Sequence, residues 1–485
     1  MTTALDAATV QIGYLCRERL HGTLLAECNK LRTKRGDDPG ILFWRGFALG
    51  FQAKLSDAVD VFEPLRTKRD FALASVYAML FFHRRQTRKD DGEIESLEIA
   101  AEMTVETAND AALYHAAALL QHTGQCGLAT KLLDRMSRGG AMAGNSIAVK
   151  ANSLRGWVEL KVACASGAGV QVLQIESYFT SSLEAAASAS SSSSGAGGGV
   201  GGGGGGAGGG AGVELDALLG LSACRVEVQD WAGALDALNR GIAMSTAKGG
   251  GDGHGVGTSV PFLVEKARVM MDKGDWAQAE AMSERVLAED KGNVAALRLV
   301  ALHAATQLPL SSLAKGAGSS RGSSAGSGSH GKAVGFALPN DDDAQGGKGS
   351  GGGGRGSKAT LAEQLKALTK AMERHEAKNV PLFLATAQLF ASAALEPRHL
   401  GALKEIAGML QSAMAQAEAT AASAPSSSSF GGGASGSAGS SSARAELSVL
   451  SCELAHVLRL RATAVLSSSR NSGGGSSGGG GGKSQ

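Results

Sequence analysis

Four stretches of this chain share one spacing pattern, and that pattern constrains the fold more than any other feature. Leu42, Leu113, Leu218 and Leu263 open the windows. Four positions on stands a small residue: Gly46, Ala117, Ser222 and Ala267. Three further on stands a long side chain: Leu49, Leu120, Arg225 and Met270. Nine beyond that stands an alanine: Ala58, Ala129, Ala234 and Ala279. Windows in one phase are a repeat, and this one has the length of a helix–turn–helix unit of about 34 residues. Each helix pair leaves apolar surface exposed until a neighbour stacks on it, so the expected architecture is an all-α solenoid.

The spacing is that of the tetratricopeptide repeat. A small residue in the first helix lets the second approach closely, and the alanine of the second helix does the same from the other side. Large side chains fill the remaining gap. Leu55, Cys126, Trp231 and Trp276 stand early in the second helix, and Phe62, Leu133 and Leu238 stand one turn after the alanine. Ser283 and Arg225 break the series.

Glycine is the compositional anomaly, with 70 residues gathered into a few tracts. These tracts are Gly/Ser/Ala-rich and nearly free of apolar side chains, so they cannot bury enough surface to offset their ordering entropy. The expected organisation follows. Residues 9–186 form N-terminal helix pairs, 187–212 a disordered tract, and 213–310 repeats with a glycine-rich loop at 248–259. A disordered 311–358, helical repeats over 359–423, a disordered 424–442, a final helix at 443–466 and a disordered tail at 467–485 complete it. About six or seven helix pairs are expected in all. The tracts read as loop insertions: Trp231 and Trp276 hold one repeat position in DWAGA and DWAQA, and removing roughly 11 residues of 248–259 restores the period. Lengthening a loop from about 5 to about 30 residues costs only about 1.5 kcal/mol of closure entropy.

The formal net charge of +2 argues against a global polyanion binder. Cys16, Cys28, Cys126, Cys164, Cys224 and Cys452 include no C-x-x-C pair and read as reduced thiols of a cytosolic protein. The opening MTTALDAATV lacks the basic and apolar regions of a secretory signal. No apolar run is long enough for a transmembrane helix.

No catalytic constellation stands out. The ten histidines form no H-E-x-x-H and no metal-ligand spacing with cysteine, and His83, His115 and His122 read as ordinary helix residues. There is no G-x-S-x-G elbow. Glycine patterns of the dinucleotide type follow no strand. The tail GGGGGKSQ fails as a phosphate loop because the required first glycine falls on Ser477. Met270, Met271, Met282 and the tryptophans lie at helical spacing and read as core, so no cofactor, metal or small-molecule substrate is expected. Four tryptophans without an aromatic stripe give no nucleic-acid stacking platform.

Basic clusters remain at Arg32, Lys34 and Arg35, at Arg66, Lys68 and Arg69, and at Arg84, Arg85, Arg88 and Lys89. Cations are favoured at helix C-termini by the macrodipole, which accounts for them without a ligand. The functional reading is a positive ridge on one edge of the superhelix, facing an acidic protein, tubulin tails or lipid.

Several blocks together resemble a known family. CRERL at 16–20, GDDPG at 36–40, LYHAAALLQHTGQCGLATKLLDRM at 113–136 and DALLGLSACRVEVQDWAGALDAL at 216–238 are similar, in order, to the N-terminal part of the tetratricopeptide repeat protein 21 family. KGDWAQAEAMSERVLAEDKGNVAALRLVALHA at 273–304 continues the resemblance, and VPLFLATAQLF at 380–390 and ALKEIAGMLQSAM at 402–414 follow it loosely. The resemblance implies a superhelical, non-enzymatic scaffold subunit of intraflagellar transport complex A, acting in retrograde transport and in ciliary import of membrane proteins. It implies as partners the other complex A subunits, built from WD propellers and tetratricopeptide repeats. It also implies residence in the cilium or flagellum, the basal body and the cytoplasm. Family members are much longer, so a truncated gene model, a fragment or a short isoform is expected, and the Gly/Ser tracts depart from the family pattern.

Two other readings stay open. A generic tetratricopeptide adaptor or co-chaperone would grip a C-terminal carboxylate with lysines and asparagines on successive first helices. Here those helices are apolar or alanine-rich, as in ILFWRGFALGF and AALYHAAALLQ. The other is the regulatory arm of an enzyme whose catalytic part lies elsewhere.

Overall fold

Helix follows helix along the chain in the computed structural model, which describes residues 3–86, 90–138, 146–166, 172–192, 210–247, 259–306, 361–377, 379–393, 400–422 and 457. Among the described residues there are eighteen α-helices and no strand. They read as pairs. The first four pairs are α1 (Thr3–Arg17) with α2 (His21–Arg35), α3 (Pro39–Phe51) with α4 (Leu55–Phe62), α5 (Ala72–Arg85) with α6 (Asp91–Thr107), and α7 (Asp110–His122) with α8 (Cys126–Arg138). Then come α9 (Ser146–Ser166) with α10 (Val172–Ser192), α11 (Gly210–Glu227) with α12 (Trp231–Ala247), and α13 (Val260–Asp272) with α14 (Trp276–Glu289). Last are α15 (Val294–Thr306) with α16 (Leu361–His375) and α17 (Val380–Ala393) with α18 (Leu400–Ala422). A short 3-10 turn, Glu63–Thr67, follows α4.

One turn recurs inside five of the pairs. The amide at its end donates back five residues: Leu20 to Leu15, Lys54 to Leu49, Gln125 to Leu120, Asp230 to Arg225 and Asp275 to Met270, at 2.8–3.1 Å. The residue before it has positive φ: Arg19, Ala53, Gly124, Gln229 and Gly274. This is the Schellman closure of a helix C-terminus. Four of the five accepting carbonyls belong to the long side chains of the sequence windows. The next helix then begins at once. Side-chain caps mark other helix starts: Asp38 accepts from the amides of Gly40 and Ile41, and Asn109 from that of Ala112.

Nine pairs are present among the described residues, not six or seven. The additional pairs lack the tight turn. In the α15–α16 pair the two helices are separated by 307–360, which erases the phase a sequence window needs. Residues 187–192 and 210–212, expected within the tract 187–212, are helical, because α10 runs on to Ser192 and α11 starts at Gly210. Alanine and serine following an established helix can extend it, since propagation is far cheaper than nucleation. The central parts of the expected tracts, and the predicted helix 443–466 apart from buried Val457, lie outside the described residues.

Odd-numbered helices touch their odd neighbours (α3 with α5, α5 with α7, α7 with α9, α9 with α11, α13 with α15) and form the inner layer, while even-numbered helices cover it. Layer contact is close where a glycine faces a phenylalanine. A Cβ added at Gly46 would meet the Phe62 ring at 2.9 Å, one at Gly50 the Phe82 ring at 2.2 Å, and one at Gly241 the Phe262 ring at 2.1 Å. Phe179 sits against two glycines, Gly156 and Gly220. Ala129 is fully buried between α7 and α8. Ala129→Leu is expected to cost about 1–3 kcal/mol through overpacking, read as a lowered midpoint in urea unfolding. An unchanged midpoint would mean that the α7–α8 contact is loose.

Candidate functional site

The first helix pair departs from the template, and that departure builds the site. Counting from the shared turn, Ile12 and Leu24 occupy the two positions that are small elsewhere, and both are buried. Two branched side chains hold α1 away from α2. Helix α1 packs more extensively on α11, and its Val10 joins the core cluster of α9 to α13. The corner between α1 and α2, residues 17–23, therefore lies in the inner groove.

Each residue of the corner meets a different unit. The Arg17 guanidinium donates to Asp216 Oδ1 on α11 at 3.0 Å and lies 4.1 Å over the Trp157 ring of α9. Asp216 Oδ2 accepts from Ser153 Oγ at 2.7 Å and Trp157 Nε1 at 3.1 Å. Glu18 accepts both terminal nitrogens of Arg268 on α13, at 3.0 and 3.3 Å, and Arg268 also holds Glu265 at 3.0 Å. The Arg19 carbonyl accepts from Asn379. The amides of Gly22 and Thr23, first-turn donors of α2 that lack an intrahelical acceptor, both donate to the Glu376 carboxylate at 2.9 Å. Glu376 thus caps a helix from 354 residues away. A Cβ at Gly22 would lie 1.7 Å from the His375 carbonyl oxygen, so the contact requires glycine.

Burial sets the ionisation of the groove. His21 stacks on Phe51 with centroids 4.2 Å apart, and desolvation lowers its pKa from 6.5 to about 4, aided by Arg19 and Arg85. His122 is lowered well below its usual value by desolvation and then by Arg17, Lys161 and His21. His115, stacked on Phe71, falls to about 4 through desolvation, with Lys150 adding to it and Asp70 and Asp38 opposing it. Desolvation raises the buried Glu376 carboxyl, opposed by its hydrogen bonds to Gly22, Thr23 and Asn379.

The histidines have a consequence for stability. They are neutral in the fold, whereas the unfolded chain takes up protons near pH 6.5. Between about pH 4 and about pH 6.5 the unfolded state binds more protons, so stability is full above that window and falls as pH drops through it. For His21 the loss is on the order of 3 kcal/mol at the acid end. His21→Phe is expected to remove that share, giving a smaller drop in melting temperature between about pH 7.5 and about pH 5. An unaltered pH dependence in the variant would show that His21 is not the group responsible.

The residues singled out in the sequence lie mostly in the layers between helices. Gly46, Ala58, Phe62, Leu113, Ala117, Ala129, Leu133, Leu218, Ser222, Ala234, Leu238, Leu263, Ala267 and Ala279 are buried; Leu42, Trp231 and Trp276 are half-buried, and Trp276 stacks on His303. The two breaks in the template each find a partner. Arg225 reaches Glu176 and the Gly233 carbonyl, and Ser283 Oγ donates to the Ala279 carbonyl. Of the basic clusters, Arg32 pairs with Asp37, Arg66 with Glu63 and Arg84 with Glu98. Arg85 lies over Phe81 and Phe51, Lys34, Lys68 and Arg69 are exposed, Arg35 is half-buried, and Arg88 and Lys89 lie outside the described residues. A half-open cleft of ≈ 530 Å³ between α5, α6 and α8 is lined by Tyr77, Phe81, Arg85, Glu102 and Leu128 among others. Cys16, Cys28 and Cys224 are buried free thiols. Among the described residues no cluster of three or more His, Cys, Asp or Glu side chains is placed to hold a metal, and no helix is long and apolar enough to cross a membrane. Arg17, Glu18, Asp216, Arg268 and Glu376 were missed by the sequence reading; the available signal was charge on otherwise apolar inner helices, as in VELDALLGL and VEKARVM.

Comparison with known proteins follows the same segments. Among solved structures, a Rap protein complexed with competence and sporulation factor aligns over 87% of this chain and 98% of its own at 12% identity, with TM-score 0.37. Yeast Tom70 aligns over 97% of this chain and 91% of its own at 12% identity, with TM-score 0.28. Human tetratricopeptide repeat protein 21B is 25% identical over 295 residues, 60% of this chain and 19% of that protein. The mouse protein 21B is 24% identical over 292 residues, 60% of this chain and 19% of that protein. Human tetratricopeptide repeat protein 21A is 23% identical over 273 residues, 56% of this chain and 17% of that protein. The matched region spans about a fifth of the length of these curated relatives. Residues 12–280 match the family described as tetratricopeptide repeat protein 21 N-terminal ARM repeat, a segment that contains the corner, the groove helices α3 to α13 and all four sequence windows. On that match the chain is a helical-repeat protein and belongs to the tetratricopeptide repeat protein 21 family.

Proposed function

We propose that this chain is a non-enzymatic scaffold subunit of intraflagellar transport complex A, supporting retrograde ciliary transport and ciliary import of membrane proteins through protein–protein contacts. The family match over residues 12–280 carries this reading. The proposed partners are the other complex A subunits, and the proposed locations are the cilium or flagellum, the basal body and the cytoplasm. The layered helices supply the mechanism, since a solenoid offers long edges and an outer face of even-numbered helices on which large partners can dock. The basic ridge of Lys34, Lys68 and Arg69 is a candidate docking edge for an acidic partner surface.

The occupied groove weighs against the generic adaptor reading. An adaptor that captures a peptide terminus needs an open inner groove, and here the Arg17–Thr23 corner fills it. The deciding experiment is affinity purification of the tagged endogenous protein from ciliated cells, with mass spectrometry of its partners. Recovery of complex A subunits is the expected outcome. Recovery of chaperones, or of an enzyme, in their place would overturn the assignment in favour of an adaptor or a regulatory arm.

A further inference from the structure

We infer that the cleft between α6 and α8 is a docking site for a basic amphipathic helix of another polypeptide, whose apolar side chains enter the cleft while its lysines and arginines lie along the outer face of α6. The stack itself leaves that place open. The second helix of every other pair also packs on a helix of a neighbouring pair: α2 on α3, α4 on α5, α8 on α9, α10 on α11, α12 on α13, α14 on α15, and α16 and α18 on each other. Among the described residues α6 packs extensively on α5 alone. The third and fourth pairs meet through α5 and α7 instead, and a gap separates α6 from α8. Arg135 ties the far ends of the two helices, donating to the Glu106 side chain and carbonyl at 3.1 Å. The gap is the ≈ 530 Å³ cleft, with Tyr77, Leu80 and Phe81 on its α5 side, Ala101 on its α6 wall and Leu128 on its α8 wall. Clefts that take ligands measure about 300–1,000 Å³.

Three features set the chemistry of the occupant. The walls are helices whose backbone groups are already paired, so an extended segment would find no ladder to join, whereas a helix brings its own backbone pairs. A helix is also what the stack places against every other second helix. Large apolar side chains face solvent here: Leu128 is 40% exposed, Ile99 53% and Met103 70%. Exposed apolar side chains gathered within a polar rim mark interaction surfaces. The charge, finally, is one-sided. Asp91, Glu93, Glu95, Glu98, Glu102 and Glu106 are the ionisable residues of α6, which carries no cation. The arginines at the rim are engaged, Arg84 with Glu98, Arg135 with Glu106 and Arg85 over the Phe81 ring, while Lys131 is exposed on α8. Glu95 and Glu102 are exposed and have no ion-pair partner among the described residues. Lysine or arginine suits this face, because its aliphatic stem can lie on Ile99 or Met103 while its cation meets Glu95 or Glu102. A basic helix fits here whichever assembly the chain serves, so the docking site and the transport-complex assignment fail independently.

The probe is a fluorescein-labelled helical peptide of about 18 residues, with leucines on one face and lysines on the other, titrated with the full chain and read by fluorescence anisotropy. Saturable binding with Kd of about 1–100 μM at about 50 mM salt is expected, about tenfold weaker at about 300 mM salt. A peptide of the same composition with its leucines and lysines scrambled should bind at least about tenfold more weakly. Glu95→Lys combined with Glu102→Lys should weaken binding about tenfold, and so should Leu128→Asp, with melting within about 2 °C of the parent because all three side chains are exposed. On the unsubstituted chain the peptide should slow hydrogen–deuterium exchange in residues 91–107 and 125–138, which keeps the test available if a variant does not fold. Binding that either variant leaves unaltered, protection confined to other segments, or no saturation by about 1 mM overturns the inference. Sedimentation showing that the chain self-associates, with Leu128→Asp restoring the monomer, also overturns it and makes a second copy the occupant.

Discussion

Phe179→Ala is expected to lower the unfolding free energy by about 3–5 kcal/mol, measured by urea unfolding of the full chain. The ring is fully buried and meets Trp157 edge to face with centroids 5.6 Å apart. It is also the wedge between three helices of the inner and outer layers. A Cβ at Gly156 would lie 2.6 Å from its Cζ, and one at Gly220 2.1 Å from its Cε1. No flexible end is available to yield at these distances, so Gly220→Ala alone should cost about 1–3 kcal/mol by overpacking. The two effects must couple. In the Phe179→Ala background the new methyl enters the space the ring vacated, and Gly220→Ala should become nearly neutral, an interaction energy well above the scatter of about 0.5 kcal/mol seen for independent sites. Strict additivity in the double variant would show that ring and glycine do not share one space.

Glu376→Ala should release the N-terminal corner and cost about 2–4 kcal/mol. Glu376 is 2% exposed and accepts from the amides of Gly22 and Thr23, the Thr23 hydroxyl and the Asn379 amide. Each buried donor left unpaired costs about 1–3 kcal/mol, and local rearrangement recovers part of it. Glu376→Gln keeps an acceptor oxygen without the charge and should fall between the two. A thermal melt reads the loss, and amide exchange at Gly22 and Thr23 localises it. A melt of Glu376→Ala within about 0.5 kcal/mol of the parent would mean that the corner is held by its other contacts.

Helical stacking was legible in the sequence because its determinants are local. A small residue, a long residue and an alanine at fixed spacing lie within one helix–turn–helix, and the turn that joins them is closed by a single backbone bond across five residues. The number of pairs was less legible, since 307–360 separates α15 from α16 and removes the spacing on which recognition depends. The corner site was hidden for a different reason. Arg17, Asp216, Arg268 and Glu376 follow no common period, and the last three contact the corner across 199, 250 and 354 residues. The glycine–phenylalanine seats were equally silent, because Gly220 in a sequence window reads only as a poor helix former.

What the sequence determined by itself was the all-α repeat and its family, both set by contacts within one unit or between adjacent units. What the tertiary structure decided was where the first unit goes. In a solenoid each unit turns slightly relative to the last, and curvature is the sum of those small rotations. Only that sum brings the groove helices and the Glu376 junction around residues 17–23. The bulky Ile12 and Leu24 then favour a first helix that stays joined to α2 but packs more extensively on α11.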